Sequence, residues 1–196
     1  MLTLGINTAS NTNTVCLFDG KKVIGEVSWS GKNKESEKLL PSIAKLLQKS
    51  RRRMENIKRI VVVRGHGSFS AVRTGVTVAN VLSYALGCDL YSIDTATMWA
   101  TRSPDKNATA VIHAGRGDVL IKGRVTPASS IKSKGHFFGD VTDEEFVYFQ
   151  HNWIPEKKLR SFGDGLLKIP KSKLKKTKIV EPFYLFPPNI TKKKPV

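Results

Sequence analysis

Two stretches of the chain place apolar residues at the helical period, and most of the rest breaks into short β-favouring runs. From Ser36 to Ser50, Leu39, Leu40, Ile43, Leu46 and Leu47 recur at helical spacing, with Lys38, Lys45, Gln48 and Lys49 on the other face. This predicts an amphipathic helix. Pro41 sits inside it, so either the regular helix starts near Leu40 or its first turn is distorted. From Phe69 to Leu86, the residues Phe69, Val72, Val76, Ala79, Leu82 and Leu86 make one face of a second helix, capped by Ser68 and ended by Gly87. Gly75, Ala79, Ser83 and Ala85 supply small residues that let another helix approach closely.

Around these helices, residues 2–7, 14–18 and 22–29 read as three antiparallel strands, with a polar loop at 8–13 and an Asp19-Gly20 turn. Strands at 58–63 and 89–93 flank the second helix. A short helix capped by Asp94 or Thr95 follows, and then a hairpin of 108–113 with 119–125 around Gly115 to Asp118. The order strand, helix, strand, helix, strand indicates an α/β architecture. From Thr126 to Pro155 the pattern weakens, and Phe146 to Trp153 reads equally as a strand or a packed loop. Lys168 to Lys178 is too charged for core, and Glu181 to Pro188 reads as an edge strand or an extended surface segment.

The turn into the second helix carries Gly65, Gly67 and Ser68, and puts free N–H groups at a helix N-terminus where an anion or nucleotide phosphate could sit. Asn7 and Thr8 in the first loop could line such a site or simply bond their own backbone. The glycine spacing falls short of either phosphate fingerprint, so a plain strand-to-helix turn fits the pattern alone. The four histidines are dispersed, so no metal site is expected. Ser68 lacks the nucleophile-elbow context, and no carboxylate pair is nominated by spacing, so no catalytic residue is assigned.

Charge changes the picture more than composition does. The 196 residues carry 33 Lys and Arg against 16 Asp and Glu, a formal +17. Such an excess favours a polyanionic partner, most simply RNA, and the cations come in blocks. Lys49, Arg51, Arg52 and Arg53 form one, with Lys58 and Arg59; Lys175 and Lys176 belong to a second, C-terminal block that runs on through Lys192, Lys193 and Lys194. No run approaches the roughly 20 apolar residues of a bilayer span and no signal peptide is evident, so a cytoplasmic location is expected. Cys16 and Cys88 read as reduced thiols.

LGINTAS, ESEKLLPSI, RGHGSFSAVRTGVTVANVLSYALG, HAGRGDVLIKGRV and EPFYLFPPNI, in that order, resemble the bacterial TsaB (YeaZ) family. The resemblance is strongest over residues 1–125. It implies an actin-like, hexokinase-like ATPase fold (ASKHA) of two lobes, each with a mixed sheet and helices: 1–100, carrying the two-helix interface, and a smaller, diverged 101–196. It further implies a non-catalytic scaffold in tRNA N6-threonylcarbamoyladenosine formation, partnered by a TsaD-like catalytic subunit and a TsaE-like ATPase. The alternatives in view are a nucleotide-binding enzyme of the same fold and a stand-alone RNA-binding protein.

Carried onto this chain, the family's pairing surface would use Leu39, Leu40, Ile43, Leu47, Val72, Val76, Ala79, Asn80 and Ser83. With the resemblance go no cofactor of the chain's own and ATP or ADP at a subunit interface; the lysine and arginine blocks add the expectation of direct tRNA contact, and the apolar helix pair that of self-association as a homodimer when the partner is absent. Asn7 stands where the family usually has aspartate, Glu35 where histidine is common, His66 where proline is common and Ala71 where glycine is common.

Overall fold

Strand β1 (Leu2–Asn7) is buried along its whole length, as expected of a strand covered on both faces. In the computed structural model, which describes residues 1–30, 34–132 and 134–186, it is central to a six-stranded sheet. It pairs antiparallel with β2 (Thr12–Asp19) and parallel with β4 (Ile57–Val63). Outside β2 lies β3 (Lys22–Ser30), and outside β4 lies β5 (Asp89–Ile93), parallel to it. The β-branched run Ile60 to Val63 is almost wholly buried, which fits its place inside the sheet.

The helices α1 (Glu35–Lys49) and α2 (Phe69–Leu86) pack against this sheet and against each other, α1 over β2 and β3, α2 over β4, β5 and β1. Pro41 falls within α1 on its exposed side, so the helix runs through the proline from Glu35. Gly87 ends α2 in the left-handed region at φ 58, as its position predicts. Ser68 does not act as the cap: its side chain makes no capping hydrogen bond, and the first N–H groups of α2 stay open. Asp94 does cap α3 (Thr95–Ala100), accepting from the Thr97 N–H at 2.7 Å.

A second, four-stranded sheet runs β8 (Arg124–Pro127), β7 (Asp118–Ile121), β6 (Thr109–Gly115), β9 (Phe137–Asp140). Its pairings are antiparallel except β6 with β9, which are parallel. After α4 (Asp143–Phe146) the chain is a packed loop rather than a strand. Phe149 is buried there, 5.1 Å from the ring of Phe137, and the aromatic run thus closes a small second core with Val111 and Val119.

The chain then returns to the larger sheet. Helix α5 (Phe162–Leu167) packs on β2 and β3, and β10 (Lys175–Thr177) pairs antiparallel with β5 at the edge. A boundary near residue 100 therefore parts the two sheets on the outward pass, while much of the last quarter rejoins the first. Lys168 to Lys178 holds an edge strand, since charged side chains are acceptable where one side of the backbone faces solvent. Residues 181–186 are an extended segment, and 187–196, including Lys192 to Lys194, lie outside the described residues. The main core draws on both sheets: Ile112, Leu120 and Phe138 join Leu4, Ile6 and Ile60 in one cluster.

Candidate functional site

The apolar stripe of each long helix faces the sheet. Leu39, Ile43, Leu47, Val72, Val76, Ala79 and Ser83 are all buried within the chain, Ile43 and Val72 completely, so these seven cannot form a surface for another subunit. The physical reason is ordinary amphipathicity: the strongest apolar face is the one the fold consumes. Ser83 donates to the Cys88 carbonyl at 2.8 Å, and Asn80 is engaged by the backbone of Val180. Of the nine residues expected at the interface, Leu40 alone is well exposed, at 50%.

The solvent sides of α1 and α2 carry a different set. Val81 is 59% exposed and Tyr84 92%, and Arg73 and Thr77 precede them on the same side of α2 at helical spacing. On α1, Leu40, Pro41 and Ala44 are exposed. Sequence reasoning missed Val81 and Tyr84 because it followed the larger stripe. The signal was there, as two large apolar residues three apart on the face that should have been polar.

The second feature is a cleft of about 820 Å³ between the two sheets. The loop after β1 contributes Ser10 and Asn11, the turn before α2 contributes Gly67 and Ser68, and the second sheet side contributes His113 and Asp140. Of the five residues expected around a phosphate, only Gly67 and Ser68 line this cleft. Asn7 is buried; its Oδ1 accepts from the Ala9 N–H at 3.0 Å and its Nδ2 donates to Ser10 Oγ at 3.1 Å. Thr8 donates to the Ala71 carbonyl at 2.7 Å. Asn7 is spent on holding its own loop, and Thr8 on tying that loop to the first turn of α2.

The two glycines have a packing role. A Cβ on Gly67 would stand 2.2 Å from the Ala9 carbonyl oxygen, and one on Gly65, at φ +122, would stand 2.1 Å from that of Phe183. Close backbone approach by the first loop and by the C-terminal segment is what requires them. His66, between them, is buried beside the Phe183 ring, and neither ring nitrogen has a protein hydrogen-bond partner. Desolvation holds its pKa below the usual histidine value, with Asp94 acting in the opposite sense.

Across the cleft, Asp140 Oδ2 accepts from the Asn11 N–H at 3.0 Å, which ties the second sheet to the first loop. Burial pushes its pKa up to about 6, against the lowering effect of that hydrogen bond. His113 Nδ1 lies 2.7 Å from Glu145 Oε1, while Glu145 Oε2 accepts from the Thr142 N–H at 3.0 Å and so closes the N-terminus of α4. The cleft thus gathers the N-terminus of α2 with the acids Glu35, Asp140 and Asp143, a mixed field rather than a phosphate cradle. Among the described residues no three His, Cys, Asp or Glu side chains are grouped so as to hold a metal ion, and no helix is long and apolar enough to cross a membrane.

The basic residues Lys49, Arg51, Arg52, Arg53, Lys175 and Lys176 are all exposed. Arg52 pairs with Asp19 at 3.3 Å and Lys176 with Asp89 at 2.8 Å.

Residues 22–152 match the family model for TsaD, tRNA N6-adenosine threonylcarbamoyltransferase. The chain is 29% identical over 121 residues to the tRNA threonylcarbamoyladenosine biosynthesis protein TsaB of Bacillus subtilis, covering 61% of this chain and 53% of that protein. It is 27% identical over 100 residues to the TsaB of Buchnera aphidicola, covering 51% and 47%. The matched stretches thus span about half the length of these curated relatives. YeaZ from Pseudomonas aeruginosa superposes with a TM-score of 0.68 at 19% identity, over 85% of this chain and 89% of that one. A Pseudomonas aeruginosa protein described as similar to peptidase YeaZ gives 0.73 at 18% identity, over 94% and 99%. The two-sheet α/β architecture is therefore that of the YeaZ structures.

Proposed function

We propose, for a chain that belongs to the TsaD family and within it to the TsaB (YeaZ) type, a non-catalytic scaffold role in making threonylcarbamoyladenosine in tRNA. The partner it supports is a TsaD-like catalytic subunit, with a TsaE-like ATPase joining the assembly. The observation that carries this reading is the exposed apolar stripe of Val81 and Tyr84 on the solvent side of α2, with Leu40 also exposed on the adjoining α1. Large apolar side chains grouped on one exposed face are what a helix-to-helix subunit contact uses. A second copy of the chain would compete for the same stripe.

The non-catalytic part of the reading is supported by how the polar groups behind the cleft lining are used. Asn7 is committed to its own loop, Thr8 to the Ala71 carbonyl of α2, and Glu145 to His113 and to the cap of α4. None of them is left facing a reacting group. The test is co-purification of the chain with a TsaD-like subunit, repeated for Val81→Arg and Tyr84→Glu. Both variants should melt like the parent and lose the partner. Retention of the partner by both would overturn the reading.

A further inference from the structure

The positive charge of the chain gathers at one edge of the larger sheet. Arg59 on β4 lies in register with Asp89 on β5, and Tyr91 on β5 with Lys176 on β10. Register partners, and residues two apart along a strand, project from the same face, so these four side chains share one. Gly5 shares it too, through its pairing with Val61, and the space above Gly5 is taken by Leu166 and Phe162 of α5. This is therefore the face opposite α1 and α2. Helix α5 packs over β2 and β3, which leaves the β4, β5 and β10 side of the face to charged groups.

The arrangement there is ordered. The Arg59 guanidinium carbon lies 4.8 Å from the centre of the Tyr91 ring, and the Lys176 ammonium 6.0 Å from it. The ring holds two cations from different strands at a fixed separation. Exposed Lys58 and Lys178 stand at the same end of these strands, and the Arg51 to Arg53 turn leads into β4. Lys168, Lys171 and Lys173 are exposed on the segment that joins α5 to β10. The acids at this end are Asp19, Glu55 and Asp89, and of these Asp19 is met by Arg52 and Asp89 by Lys176. Two blocks more than 100 residues apart in sequence thus meet in one positive field.

We propose that this edge is a binding surface for the phosphate backbone of RNA, with Lys58, Arg59, Lys176 and Lys178 as its centre. Strands about 4.8 Å apart set the cations at spacings that a run of phosphates can meet. Among the described residues, Met1, Ile179 and, at the end of α2, Tyr84 are exposed large apolar side chains at this end, too scattered for the continuous apolar face that an anionic membrane surface requires. Arg59, Tyr91 and Lys176 lie on the opposite side of the sheet from α1 and α2, with Lys58 and Lys178 at the strand ends beside them, and the inference stands whether or not the helix stripe docks a TsaD-like subunit.

The test uses the full chain, an unmodified tRNA transcript, and fluorescence anisotropy between 50 and 200 mM salt, as in counterion-release measurements. The triple variant Lys58→Gln, Lys176→Gln, Lys178→Gln should weaken binding by about tenfold or more and lower the salt slope by about 2 to 3. A charge-matched control, Lys106→Gln, Lys122→Asn, Arg124→Gln, removes three exposed cations beside the second sheet and should stay within about threefold of the parent. Equal weakening in both triples, no weakening in the first, or no binding by the parent would overturn the proposal. So would loss of binding to phosphatidylserine vesicles while tRNA binding persists. Co-purification with a TsaD-like subunit, measured on the same triples, should be unchanged, which separates this surface from the helix stripe.

Discussion

The side-chain amide of Asn80, in the middle of α2, makes both of its hydrogen bonds with the backbone of Val180, donating to its carbonyl at 3.0 Å and accepting from its N–H at 2.9 Å. One residue thus pins the C-terminal segment to the helix, 100 positions away in sequence. Downstream of the pin, the Phe183 N–H donates to the Arg64 carbonyl at 2.7 Å, and Tyr184 packs on Phe69 with ring centres 4.7 Å apart. Replacing Asn80 by Leu leaves a buried backbone pair unmatched and should cost about 2 kcal/mol. Limited proteolysis should then cut near residue 180 well before the rest of the chain opens. Unchanged melting and unchanged cleavage would show that the clamp is idle.

Within α2, stability and partner binding should separate by face. Val76→Arg buries an unpaired charge at a position only 2% exposed and should leave no folded protein to assay. On α1, the gentler Ile43→Ala should cost about 2 to 5 kcal/mol in chemical denaturation. Val81→Arg, at 59% exposure, should stay within about 0.5 kcal/mol of the parent. A Val81 variant as unstable as Ile43→Ala would place that residue in the core.

Asp140 gives a pH dependence with a definite sign. Its pKa is raised from 3.8 to about 6 in the fold, so between these values the folded state binds more protons than the unfolded chain, and stability falls as pH rises. Above about pH 6 the full penalty applies, on the order of 3 kcal/mol at most. Asp140→Asn can still accept from the Asn11 N–H and cannot ionise. Its melting temperature should exceed that of the parent at pH 7.5, with the gap closing toward pH 4. A gap independent of pH would assign the effect to something other than ionisation.

Gly67→Ala tests what the glycine turn is for. The added Cβ meets the Ala9 carbonyl oxygen at 2.2 Å, backbone against backbone, so one of the two loops must move. The expected loss is about 1 to 3 kcal/mol in urea denaturation, with no nucleotide present. A fully stable variant would return the glycine to the role of admitting a ligand phosphate.

Much of the architecture was legible in the chain. The β-branched run at Ile60 to Val63 and the left-handed stop at Gly87 state their structure locally, and of the two capping candidates Asp94 and Thr95 the structure takes Asp94. Ser68 misled because residue type signals a capable cap, while whether its hydroxyl turns back to the helix depends on the loops packed around it. Strand β10 was hidden for a related reason: its lysines are poor core residues, and only the free edge of β5 makes them a strand.

The sites were less legible than the fold. Helical spacing picked out Leu39, Ile43, Val72 and Val76 correctly as one-sided sets, but spacing cannot say whether the apolar side meets the chain's own sheet or another molecule. Once the sheet takes that side, Leu40, Val81 and Tyr84 are what remain for a partner. The basic blocks were visible as blocks, yet Arg59, Tyr91 and Lys176 become neighbours only through strand register.

By itself, then, the sequence determined the α/β class, the two long helices with their stops, the excess of positive charge, and the family. These rest on local preference and composition, which each segment carries with it. The tertiary structure decided which face of each helix is free, that Asn7 serves its own loop and Thr8 ties it to α2, and that two distant basic blocks share one edge of a sheet. Those follow from pairing and burial between residues far apart in sequence, and no segment contains that information until it has met its neighbours.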